Sequence, residues 1–430
     1  MPTPPGDVAH LLRRAGFGGS HAQVAELARL DIHAIVDRVL DVRTAPPVVP
    51  PAVFADPLAG GYEQWVGMTH TWLERMRTSP APIVEKMVLF WHGHLTSSIY
   101  KVEKPTRMWE QLDLYRSMGM GNVHDLVQAA AINPAMLRYL DNDTNVDGAP
   151  NENFARELME LFTLGVGHYT QDDVVAAARA WTGHGRDWKT GEYVFRRELH
   201  DGRVKSLFGI MKNWDGPDVI TEILMGSKRD VAARFLVTKL WTFLAHPNPD
   251  PALVSELASR YLGSGMNITA LLRAIFLRPE FYSVTAKRGL VRSPIEYMVA
   301  AMKGAELGCD VAHPEWWVEG MGQVPYSPPN VSGWRPNGYW VSTSATWAKI
   351  GFANHLRWKI NETGLLRGIE GLPPAESVKA VLRQFGVDRA GPQTKAALER
   401  YVARERGSDR WAERPNLILL VLLSPEMHLA

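Results

Sequence analysis

The chain has 430 residues, 46% hydrophobic and 22% charged, with a formal net charge of +1. Such proportions belong to a folded protein with a large core, and the near-zero charge argues against a nucleic-acid binder that works by neutralising phosphates. Cys309 is the single cysteine, which excludes intrachain disulfides and thiolate metal clusters.

Residues 7–42 read as two or three short helices. Val8, Leu11 and Leu12 give the first an apolar face, and Gly16-Phe17-Gly18-Gly19 ends it. Ser20 and Gln23 form a capping-box signal for the next. Residues 45–57 are rich in proline and read as extended chain. The expected organisation is an N-terminal helical segment over 1–45 packed on the body, a Pro-rich linker over 46–60, and a main multihelical domain over 61–430.

The body opens with helices at about 61–78, 81–92 and 105–118. Two shorter ones lead to Asp141. The stretch 151–167, NENFARELMELFTLGVG, then runs a polar cluster straight into a helix. At about 100° per residue, Glu152, Asn153, Arg156, Glu157 and Glu160 share less than half of its circumference, while Phe154, Leu158, Leu161 and Phe162 form the buried side. An ordinary amphipathic helix laced by Glu152–Arg156 and Arg156–Glu160 pairs explains this stripe as readily as a site does.

Thr170 and Asp173 cap a helix at 171–183. Residues 188–210 change character: Tyr193-Val194-Phe195 is β-like, and His200-Asp201-Gly202 reads as a turn. Helices follow at about 216–226, 228–245, 251–263, 267–278, 293–308, 343–361, 374–385, 391–405 and 409–423, interrupted by a Pro/Gly/Asn-rich loop over 325–338. Three runs echo one another, LVQAAAINPAM (126–136), LLRAIFLRPEF (271–281) and LILLVLLSPEM (417–427). Each is an apolar helix closed by a proline corner, and their unequal spacing rules out a solenoid. The fold class expected is mostly α: a large multihelical single body with a short β-hairpin or irregular excursion near residues 190–210.

Four constellations could carry chemistry. Trp91-His92-Gly93-His94 offers two imidazoles that suit a divalent metal ion only if the helix has ended by Gly93, because on a helix they point about 200° apart. His200-Asp201 adds an imidazole and a carboxylate on a loop, where a positioned acid or base is at home. The run 141–152, DNDTNVDGAPNE, partly matches a calcium loop, but Val146 stands where glycine is needed, so an Asx-rich turn is the better reading. The run 326–340, YSPPNVSGWRPNGYW, has the aromatics to wall a pocket or to pin a structural loop. No phosphate-binding glycine loop, dinucleotide fingerprint, serine elbow or His-Glu-x-x-His is present, so no nucleotide cofactor is expected.

Taken together, HLLRRAGFG (10–18), FWHGHL (90–95), LDND (140–143), PNENFARELMELFTLGVGHYTQDDV (150–174), ARAWTGH (178–184), HDGRVKSLFG (200–209) and SPPNVSGW (327–334) resemble a bacterial family of uncharacterised proteins, domain of unknown function 1800. The resemblance implies a largely helical protein of unsettled activity. It also implies a protein partner encoded nearby, since the family's genes often neighbour those of proteins resembling the alkaline-phosphatase and sulfatase group. Arg13-Arg14 leads into no apolar segment of the kind an export signal needs, and the apolar run 417–423 is too short to span a bilayer, so the expected location is cytoplasmic.

Two functions fit. The first is a metal-assisted hydrolase or lyase acting on a glycan or similar polar substrate. There His92, His94 and His200 with Glu157 or Glu160 hold the ion, Glu152 or Asp201 is the general base, and Arg156 steers an anionic group. Asn151, Asn153, Trp181, Asn330, Trp334 and Trp340 would contact substrate. The second is a non-catalytic scaffold or binding protein, with the Asn/Glu/Arg stripe as a buried registry network and the tryptophan loops as a partner or glycan surface.

Overall fold

Helix after helix begins on proline: Pro5–Arg14, Pro82–His94, Pro105–Met118, Pro134–Tyr139, Pro251–Gly263, Pro294–Ala305 and Pro374–Gln384. A first-turn residue has no intrahelical use for its N–H, so proline costs nothing there and presets φ. The three echoed runs are corners of this kind, Val123–Ala131 turning into Pro134–Tyr139, Ile268–Phe276 into Pro279–Tyr282, and Arg410–Leu422 into Pro425–His428. This is a computed structural model describing residues 1–387, 390–405 and 410–430. The protein is 63% helical, with 23 α-helices and two small two-stranded sheets among the described residues. No helix among them is long and apolar enough to cross a membrane.

The helices close on one continuous apolar core in which Trp72, Trp91, Trp181 and Trp241 are wholly buried. Trp181, expected to contact substrate, is thus part of the core. Helix Pro5–Arg14 is docked by buried polar side chains. His10 Nε2 bonds to Phe281 O at 2.9 Å, and Arg14 Nη2 donates to Ala286 O at 2.8 Å and Ala245 O at 3.2 Å. The Pro-rich stretch is fastened rather than free: Arg75 donates to the carbonyls of Pro46 and Pro47, and Phe54 packs edge-on against Trp109.

Two departures from the expected elements matter for function. The 151–167 stretch is not one α-helix. It is α over Asn153–Glu157 and π over Leu158–Thr163, where Thr163 Oγ1 donates to Leu158 O at 2.5 Å and Leu164 N to Met159 O at 2.9 Å. The wider turn leaves Phe162 O to accept from His94 Nε2 at 2.9 Å, a reminder that π segments often sit where a helix does something besides packing.

The excursion is two hairpins. His184–Arg186 pairs antiparallel with Tyr193–Phe195, and Lys205–Leu207 with Ile210–Lys212. Gly183 makes the first possible. Its φ is +80°, and a Cβ would lie 2.5 Å from Arg196 O, so only glycine lets the 196–200 chain cross at this point. The crossing brings His200 beside His184.

Candidate functional site

At that crossing, His184, His200 and Asp215 each offer a ligand atom, and these lie within 4.8 Å of one another. No other group of three or more His, Cys, Asp or Glu meets that standard among the described residues. His184, 2% exposed, begins the first strand. Its Nε2 is 2.8 Å from Asp215 Oδ1 and its Nδ1 is 2.9 Å from Tyr193 Oη. His200 Nδ1 is 2.9 Å from Thr182 O, a contact that requires the proton on Nδ1 and leaves Nε2 a lone-pair donor. Asp215 caps helix Gly216–Leu224, its Oδ1 accepting from Gly216 N at 2.8 Å. Burial would raise its carboxyl, but the bond from His184 and its charge, the cap and the charge of His200 outweigh this and hold it below the usual range.

The donor set fits a divalent ion. Two imidazoles and a carboxylate suit zinc, manganese or iron, and each imidazole has its second nitrogen tied to an oxygen, as metal-ligating histidines do. Ligand bonds of about 2 Å would set the donor atoms roughly 3.3 Å apart, so binding asks for closure of about 1.5 Å at most.

The surroundings hold the ligands in place. Wholly buried Trp181 is the floor, with His184 at 4.8 Å and Phe154 at 4.9 Å between ring centroids. Gly216 passes so close that a Cβ would lie 2.6 Å from the indole. Asn142 Nδ2 donates to His184 O at 2.8 Å, and Asn145 Nδ2 donates to Ala178 O at 2.9 Å. Asp143 accepts from Arg186 at 2.5 and 3.0 Å. The Asx-rich run is therefore a clamp on the strand carrying His184. Its carboxylates are spoken for by cations, Asp141 by Lys101, Asp143 by Arg186 and Asp147 by Arg203, rather than gathered around a calcium position.

Of the ligands expected from sequence, His200 belongs to this group and the others do not. Helix Pro82–His94 runs through Gly93, so His92 and His94 point apart. His92 is wholly buried among Trp72, Tyr326 and Trp334, both ring nitrogens without a partner, and burial brings it down to about 3. Burial, then Lys239, bring His94 to about 3 as well. Glu160 accepts from Tyr169 Oη at 2.7 Å, and Glu157 is raised by burial and by the charge of Glu160. Neither carboxylate meets an imidazole group.

Asp201, the expected base, sits in an arginine clamp. Its carboxylate accepts from Arg179 Nε at 2.7 Å, Arg203 Nε at 2.8 Å, Arg203 Nη2 at 2.9 Å and Arg203 N at 2.9 Å. Burial would raise it, yet these bonds hold it far below the carboxylate range. Glu152 and Arg156 form an i,i+4 pair at 2.6 Å, both joined to Gln171, and both about one-third exposed. They are a clasp between two helices. Asn151 and Asn153 serve the same turn, Asn153 N donating to Asn151 Oδ1 at 2.9 Å and Asn153 Nδ2 to Asp141 at 3.2 Å.

The tryptophan loop lies elsewhere. Asn330 is exposed and holds its own turn by accepting from Ser332 N and Oγ. Gly333, at φ +76°, crosses helix Pro82–His94 so tightly that a Cβ would lie 2.1 Å from Gly93 O. Trp334 and Trp340 are thereby placed, with His94, on the wall of a separate cavity of about 430 Å³.

His184 and Asp215 escaped the sequence reading. His184 closes the ARAWTGH motif, and Asp215 precedes Gly216-Pro217 as a helix cap, but their meeting depends on the crossing at Gly183. No curated protein and no solved structure matches the chain. A family model does match, over residues 10–429, and the chain belongs to that family, described as protein of unknown function (DUF1800).

Proposed function

We propose that the protein is a metal-assisted hydrolase whose divalent ion is held by His184, His200 and Asp215 and whose substrate is small and polar. The observation that carries this is the convergence of three ligand atoms within 4.8 Å, each imidazole oriented through its other nitrogen. Three protein ligands leave a coordination position open, which separates catalytic from closed structural sites. An ion there would polarise a substrate oxygen or acidify water. His184 lies on the buried side and the Asp215 side chain is 45% exposed, so the open side faces solvent. Tyr193, bonded to His184 Nδ1, holds that ring's orientation. Exposed Trp188, on the hairpin's turn, offers an aromatic face for a sugar-like substrate.

Hydrolysis of p-nitrophenyl phosphate, acetate and glycosides tests this reading, using the full chain stripped of metal and then supplied with zinc or manganese. Turnover of at least one ester or glycoside should appear on adding the ion and disappear in His200→Ala, with folding retained by circular dichroism. Turnover unchanged by that substitution, or none with either ion, contradicts the proposal.

The scaffold reading finds its support in the Glu152–Arg156–Gln171 clasp, which joins two helices through part-exposed side chains. Such a clasp fixes registry and asks for no ligand.

A further inference from the structure

Arg14, from the motif at 10–18, and Trp334, from the tryptophan loop, lie far apart in sequence and line the same cavity of about 430 Å³. That volume is within the range of small-molecule sites. Phe90, Phe243, Trp334 and Trp340 give it aromatic walls. Its polar groups are unbalanced in charge. Arg14, Lys239 and Glu296 line it, and behind the wall Lys86 and Arg292 share that one carboxylate with Arg14; Arg14, Lys86 and Arg292 are 2%, 1% and 6% exposed, and Glu296 Oε1 is bonded to Lys86.

Arg14 spends Nη2 on two backbone carbonyls, while its Nε is buried with no hydrogen-bond partner. Burial first, then repulsion from Arg13 and Arg292, against support from Glu296, bring its guanidinium down to about 9. Arg292 is brought down to about 10 by burial and by Arg13, again with Glu296 opposing. Lys239 stands exposed on the same wall, over the Phe235 ring at 5.1 Å, with no carboxylate partner among the described residues. Buried cations in such excess are costly unless a negative group joins them.

We propose that this cavity binds an organic anion, its carboxylate held by Arg14 and Lys239 and its ring-bearing apolar body lying between Phe90, Phe243, Trp334 and Trp340. An arginine edge and an ammonium lining one cavity give charge-assisted hydrogen bonds, and the bond to Arg14, which is buried, is the one shielded from water and strengthened by it. The aromatic walls contribute burial and stacking without fixing a particular ring. This inference is independent of the proposed metal site.

The probe is 2-naphthoate, titrated into the full chain by calorimetry and tryptophan fluorescence beside its neutral counterpart 2-naphthalenemethanol. Naphthoate should bind one per chain and at least about tenfold more tightly than the alcohol, a difference of about 1.4 kcal/mol. Lys239→Gln should erase most of that preference and leave alcohol binding unchanged, whereas Trp334→Ala should weaken both ligands. Arg14→Gln should abolish the preference; since Arg14 also ties the helix end at Ala245 to the turn at Ala286, Lys239→Gln carries the test if that variant fails to fold. His200→Ala should change neither affinity, which keeps failure of this proposal distinct from failure of the metal site. Equal affinity for acid and alcohol, no binding of either, or a preference that survives Lys239→Gln overturns it.

Discussion

The hairpin excursion and the helical core beneath the tryptophan loop handle charge in opposite ways. Around His184, His200 and Asp215 three arginines meet carboxylates: Arg179 and Arg203 share Asp201, Arg186 takes Asp143, and Arg203 also reaches Asp147, while Arg196 and Lys205 are bonded to backbone carbonyls. Most of these cations are paired, and what converges beside them is a set of three ligand atoms. Beneath the loop, Arg14, Lys86 and Arg292 share Glu296 as their one nearby carboxylate among the described residues, and what remains is an excess of N–H donors. On the two proposals above, one region takes a cation and the other an anion, and the difference lies in how many carboxylates accompany the cations of each cluster.

The largest effect that sharpens this contrast is expected at Glu296. Glu296→Gln leaves three buried cations without their carboxylate and should cost about 3–5 kcal/mol in urea unfolding at pH 7. A loss below about 1 kcal/mol would mean that the cations are better solvated than their burial implies.

Next comes acid. His92 and His94 are each brought to about 3 by burial, against 6.5 in the unfolded chain. The unfolded state therefore takes up protons first, so the stability tied to each neutral ring is complete above pH 6.5 and falls as pH drops from 6.5 toward 3. At pH 4.5 one such group costs about 2–3 kcal/mol. His92→Leu leaves no hydrogen bond broken, since neither ring nitrogen has a partner, and should reduce the loss between pH 7 and 4.5 by about 2 kcal/mol. An identical loss in the variant would show that His92 is not held neutral.

A smaller effect is expected at the excursion. Tyr193→Phe removes the oxygen that orients His184 and should weaken zinc binding about 10- to 100-fold, with little change in the unfolding midpoint of the metal-free protein. Unchanged affinity would remove Tyr193 from the site. Smallest of all, Glu152→Ala should cost no more than about 1 kcal/mol, because its pair with Arg156 is part-exposed and screened. A loss of several kcal/mol would make the 151–167 stripe a buried network after all.

Much of the fold was legible in the sequence. Helices placed at 61–78, 105–118 and 251–263 are found at Gly61–Thr78, Pro105–Met118 and Pro251–Gly263, because apolar periodicity and first-turn prolines act locally. The π turn at Leu158–Thr163 was not, since it goes with a side-chain bond and a tertiary donor, His94, that periodicity does not encode. His200 was legible as a loop imidazole. His184 and Asp215 were not, because Gly183, Arg196 and Asn142 bring them together through the folded backbone. Trp91-His92-Gly93-His94 misled for the converse reason. A single glycine costs a helix only about 1 kcal/mol, so the helix continues and turns the two rings apart.

The central claim is that His184, His200 and Asp215 hold one divalent ion. Its most direct measurement is metal content, by mass spectrometry, of protein exchanged into zinc and then desalted, compared among the natural chain, His184→Ala, His200→Ala and the control His92→Leu. Close to one zinc per chain is expected in the natural protein and in His92→Leu, and nearly none in the other two. Zinc retained by His200→Ala, or absent from the natural chain, would contradict it.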